Sequence, residues 1–93
     1  MNKILLISRI NPQDTTEEKK KIFFSIGEMD LASVENNIID TLRKSDFIDF
    51  NDLVLKYNGI ELNIKTQNIP EVIKLLSQAD IKIYNIFQLY NPE

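Results

Sequence analysis

With 93 residues, of which 43% are hydrophobic and 27% charged, the chain is sized for a single domain that can bury roughly 60–65% of its unfolded surface. It contains no cysteine and no histidine, which removes disulfides, thiolate chemistry, the commonest general base and the commonest zinc ligand. A net charge of −3 argues against sequence-independent binding to nucleic acid, and the longest apolar run near the amino terminus, Ile4–Ile7, falls far short of the ~20 residues of a membrane span, so a cytoplasmic protein is expected.

Lys3–Ile10 is rich in Ile and Leu and does not alternate, which predicts a short strand covered on both faces. Asn11-Pro12 then opens a polar stretch to Lys21, predicting a turn and a long solvated loop in which Glu17 and Glu18 offset the run Lys19–Lys21. Ile22–Ile26 reads as a second strand closed by Gly27. Asp30 is the expected cap of a helix running to Lys44, because its carboxylate accepts a bond from a free first-turn amide. Leu31, Val34, Ile38 and Leu42 make the apolar stripe of that helix. Ser45–Asp52 is the connection that follows, with Phe47, Ile48 and Phe50 pinned to the core.

Leu53–Tyr57 and Ile60–Lys65 flank Asn58-Gly59, which predicts a hairpin closed by a type I′ turn. Such a turn sets Tyr57 opposite Ile60, Leu55 opposite Leu62 and Leu53 opposite Ile64, with Lys56 facing Glu61 on the other side. Asn68 and Glu71 have capping-box spacing and Pro70 falls in the first turn of a helix whose buried stripe is Val72, Leu75, Leu76 and Ala79. Asp80 is suited to the left-handed conformation that ends such a helix, and Ile81–Leu89 is the last strand. From Ile22 to Leu89 the order strand, helix, strand, strand, helix, strand is that of the ferredoxin-like fold. The expectation is therefore an α+β protein with one domain over residues 1–93. An extra strand and a polar loop occupy 1–21, and a ferredoxin-like βαββαβ sandwich occupies 22–90. The extra strand either adds to a sheet edge or pairs with another chain, so it or a sheet edge is the expected route to a homodimer.

Chemistry-bearing motifs are scarce. Asp46, Asp49 and Asp52 recur every three residues, which does not match the alternate ligands, central glycine and closing glutamate of a calcium loop. Their plainer role is to keep the connection wet between aromatics. Gly27 and Gly59 lie too far apart to cradle a phosphate, and no serine has a histidine partner or a Ser-x-x-Lys spacing. The expectation is no enzyme, no cofactor and no metal site. Of the two strands that would be central, only the first carries aromatics, Phe23 and Phe24, whose expected role is core packing, and the RNP1 pattern of RNA-binding sheets is missing. That leaves a protein partner. The expected contact residues are Tyr84, Phe87 and Tyr90 on the face of the last strand that helices leave open, or Asp46, Asp49 and Asp52 against a basic partner.

The run from Asn58 to Ile86, NGIELNIKTQNIPEVIKLLSQADIKIYNI, resembles the accessory carboxy-terminal domain that follows the nucleotide-binding domain in many bacterial ABC-transporter ATPases. The shared features are a glycine-containing hairpin, the Asn68-Ile69-Pro70-Glu71 helix start, the Leu75-Leu76 helix end and the strand opening at Ile81–Tyr84. The resemblance covers the second half of the chain, and no Walker A, signature or Walker B motif accompanies it, so no ATP-binding residue carries over. It implies a non-enzymatic regulatory or accessory module associated with an ABC transporter. The alternative reading is a freestanding acidic inhibitor or immunity-type protein that meets a nuclease, toxin or phage-defence factor. Met1–Lys21 has no counterpart in the family, which favours a freestanding chain.

Overall fold

In the computed structural model, which describes residues 7–89, five strands and two α-helices follow in the order β1 (Ile7–Ser8), β2 (Lys19–Ile26), α1 (Ala32–Arg43), β3 (Leu53–Lys56), β4 (Gly59–Lys65), α2 (Ile69–Gln78) and β5 (Ile83–Leu89). The strands form one sheet in the order β1-β5-β2-β4-β3, and every neighbouring pair is antiparallel. Ile22, Phe24 and Ile26 on β2 and Ile60, Leu62 and Ile64 on β4 alternate along their strands, so each trio projects from one face. On that face they meet Ile38 and Leu42 of α1 and Ile69, Val72 and Leu76 of α2, and together these residues make the core. Both helices therefore cover the same side of the sheet. Among the described residues the other side carries no helix.

The amino-terminal strand adds to the sheet edge. Ile7 pairs with Leu89 and Ser8 with Gln88. The remainder of its expected span, residues 1–6, lies outside the described residues. β2 begins three residues earlier than apolar content indicates, at Lys19, and the run expected in a solvated loop pairs with β4. Lys19 stands opposite Lys65, a like-charge pair across the strands, and each has its own counter-ion: Asp52 for Lys19 and Glu17 for Lys65, both at 2.8 Å. The lysines are strand residues because carboxylates from other segments neutralise them, which their local sequence does not reveal.

Three local details also differ from expectation. Asp30 does not cap α1. Glu28 takes a left-handed turn at φ 61°, Met29 is buried, and Leu31 becomes the residue at the helix start without any side-chain cap. Leu31 is consequently 44% exposed and outside the stripe, where Thr41 joins Ile38 and Leu42 instead. Asn68 makes no capping bond to α2 either, because a 3-10 turn, Thr66–Asn68, leads directly into the helix and holds Asn68 in helical geometry. The end of α2 is as expected. Asp80 sits at φ 61°, with its amide donating to the Ser77 carbonyl and the next amide, of Ile81, to the Leu76 carbonyl.

The largest correction is the hairpin register. Leu55 faces Ile60, Leu53 faces Leu62, Val54 faces Glu61 and Lys56 faces Gly59, a slip of two residues from the type I′ arrangement. Tyr57 and Asn58 form the loop, and Asn58 does not have the positive φ that a type I′ turn demands. The physical reason is that Gly59 is needed inside β4. A Cβ there would overlap the Phe24 carbonyl oxygen and press on the Phe23 ring. Close approach of β2 and β4 claims the glycine that the turn would otherwise use, and the Ile26 amide extends the same ladder to the Asn58 carbonyl at 3.0 Å.

Candidate functional site: the uncovered face of the sheet

Register and alternation decide what this face presents. Phe23 on β2 stands between Phe87 on β5 and Glu61 on β4, and Glu61 in turn faces Val54 on β3. The next row holds Asn85, Ser25, Gly59 and Lys56. Phe23 and Phe24 were both expected in the core, yet only Phe24 lies there. Phe23 points the other way and is nevertheless only 8% exposed. Its ring packs at 5.2 Å and a 34° tilt against Phe87 and lies over Gly59, where the missing side chain leaves room. This pair floors a depression of about 250 Å³ whose sides come from Leu89, Lys56, Glu61 and the hairpin tip Tyr57-Asn58. Tyr57, 91% exposed, stands at its rim because the slipped register placed it in the loop.

The expected contact residues are distributed unevenly around this surface. Phe87 lies in the depression. Tyr84 does not: the β2–β5 register shifts between Ser25 and Ile26, one extra β5 residue bulges there, and Tyr84 projects 72% exposed, with its ring beside Gly27. Tyr90 lies outside the described residues. Asp46 and Asp49 are exposed in the connection after α1, whereas Asp52 is held by Lys19. Among the described residues no three of these carboxylates, or any other ligating side chains, converge as a metal site would require. Phe23 and Tyr57 are the site residues that sequence reasoning missed. The signal for Phe23 was its position one residue out of phase with Ile22, Phe24 and Ile26; for Tyr57 it was a strand register that periodicity alone cannot fix.

The strongest electrostatic perturbation lies elsewhere. The Asp14 carboxylate accepts from Lys20 Nζ at 2.8 Å, Thr16 Oγ1 at 2.7 Å, the Thr16 amide at 3.0 Å and Thr66 Oγ1 at 3.1 Å. Gln67 Nε2 donates to the Asp14 and Pro12 carbonyls, at 2.8 and 2.9 Å. The segment expected to be a free loop is thus strapped to the β4–α2 junction. The Lys20 bond first, then the Thr16 bonds, hold the Asp14 carboxyl well below the usual carboxylate range, and Asp14 in turn raises the Lys20 ammonium. A carboxyl depressed in the folded state stabilises above its unfolded pKa near 3.8, and that contribution is lost as pH falls through the folded value. For Lys20 the sign is opposite: stabilisation is complete below its unfolded value of 10.5 and is lost as pH rises past the folded one. Asp14→Asn is expected to lower the urea midpoint by a constant amount from pH 5 to 9, with the gap to the wild type closing as pH is taken well below 4. Midpoints measured across that range check it, and a gap unchanged down to pH 2 would show that the charge is not what holds the strap. A similar pair, Lys82 Nζ to Glu28 at 2.9 Å, raises the Lys82 ammonium and braces the left-handed Glu28 turn beside Tyr84.

Among the described residues no helix is long and apolar enough to cross a membrane. No family model, no curated protein and no solved structure matches the chain.

Proposed function

We propose that the chain is a non-enzymatic, protein-binding regulatory or accessory module of the ferredoxin-like class, and that it binds through the sheet face no helix covers. The strand order β5-β2-β4-β3 with both helices on one side supports that class. The observation that carries the binding role is the preformed depression over the Phe23–Phe87 pair, an apolar floor rimmed by polar groups. The resemblance of Asn58–Ile86 to the accessory domain of ABC-transporter ATPases points to a transporter component as the partner. The alternative, an acidic inhibitor, would work from Asp46 and Asp49, which are exposed, without Asp52, which is tied to Lys19.

Tyr57→Ala tests the reading cleanly. At 91% exposure the side chain contributes little to folding, so thermal stability is expected to change by no more than about 0.5 kcal/mol. Tagged wild-type protein is expected to co-purify from its native cell with an ATPase or membrane-transport component, and the variant to recover about tenfold less of it, the loss of a rim aromatic of a binding site. Equal recovery by both proteins would remove this face from the interaction, and recovery of no transport component by the wild type would remove the transporter.

A further inference from the structure

Resting on the reading of the uncovered face as a protein-binding surface, we infer that its partner is an acidic polypeptide segment that inserts one apolar side chain beside Phe87 and Leu89. The overall charge of −3 is unevenly spread. The helix layer and its turns carry Asp30, Glu35, Asp40, Asp46, Asp49 and Glu71 against Arg43, Lys44 and Lys74, whereas the open face carries Lys19, Lys21, Lys56 and Lys65 against Glu61. Lys19 and Lys65 are neutralised by Asp52 and Glu17. Lys21 and Lys56 are exposed, and among the described residues neither has a carboxylate within ion-pair distance. Lys56 lines the depression itself, and Lys21 lies two residues along β2 from Phe23.

Glu61 fixes the arrangement of the ligand. It borders the same depression, so a carboxylate at the anchor position would meet like charge, while an apolar side chain there covers Phe87 and Leu89 without penalty. The partner's carboxylates belong on the flanks, toward Lys56 and Lys21. A single-stranded nucleic acid suits the face less well. Phe23 is covered by Phe87 and offers no free ring for a base, and Glu61 in the depression sets a negative charge against any phosphate bound there.

Isotope-labelled full-length protein, titrated while its amide chemical shifts are followed, tests this directly. The probes are a dodecapeptide of glutamate and glycine with one central phenylalanine, the same peptide with central alanine, the same peptide with lysine for glutamate, and a twelve-nucleotide oligothymidylate. The acidic phenylalanine peptide is expected to shift the amides of Phe23, Lys56, Glu61 and Phe87. Its affinity should fall about tenfold with central alanine, about tenfold in Lys21→Glu/Lys56→Glu protein, and steeply with added salt. Equal or tighter binding of the lysine peptide at the same amides would overturn the charge inference and leave the protein-binding reading standing. Tighter binding of the oligothymidylate would overturn both, as would the absence of any shift on this face with all four probes.

Discussion

Replacing Phe24 with alanine is expected to remove about 3–5 kcal/mol of folding stability, the largest loss from any single side chain among the described residues. Phe24 is fully buried, lies on the strand that pairs with both β4 and β5, and stands between Ile60 and Ile86 on the face the helices cover. A domain of this length has roughly 5–14 kcal/mol in total, so the variant retains a fraction of its stability and is partly unfolded when warmed. The informative control is Phe23→Ala, one residue away on the opposite face and outside the core cluster. It is expected to cost less, because it leaves the helix-facing packing intact. Urea unfolding of both variants measures the contrast, and a larger loss for Phe23 would contradict the assignment of the core to the Phe24 side.

Gly59→Ala is expected to cost about 3 kcal/mol or more, an overpacking loss of unusual size for one added methyl. The new carbon would overlap the Phe24 carbonyl oxygen, a backbone atom in the ladder between β2 and β4, so the two strands must move apart to admit it. Gly27→Ala makes the comparison sharp. There the added carbon meets Tyr84 Cε1 at 2.8 Å, the far end of an exposed side chain that can swing away, and the expected cost is about 1 kcal/mol or less. The shift in urea midpoint at constant slope reads both values. Equal costs would mean that Gly59 is not held by close strand approach.

The element order and most of the buried stripe were legible because they depend on local spacing. Ile22, Phe24 and Ile26 recur every two residues, and Ile38 with Leu42, like Val72 with Leu76, recur every four. What escaped depends on partners distant in the chain. The hairpin slipped by two residues, a shift that keeps Leu53 and Leu55 on the same face and so leaves no trace in periodicity. Asn58-Gly59 signalled a turn, but the glycine belongs to the strand because of a contact with Phe24, 35 positions away. Lys19 and Lys20 became strand residues through Asp52 and Asp14, with Glu17 neutralising Lys65 opposite Lys19, and the polar segment before them became a strap through Thr66 and Gln67. The same non-local register decides the candidate site. Phe87 was legible as an aromatic on the last strand, whereas the exposure of Tyr57 and the outward turn of Phe23 depend on pairings that only the folded sheet specifies.

The central claim, that the chain works through the uncovered face of its sheet, is tested most directly by photo-crosslinking in the native cell. A benzophenone amino acid is placed either at position 57, on the rim of the depression, or at position 74, exposed on α2 in the layer that covers the opposite face. One recurrent covalent partner is expected from position 57 and none from position 74. A partner captured from position 74 and not from 57 would contradict it.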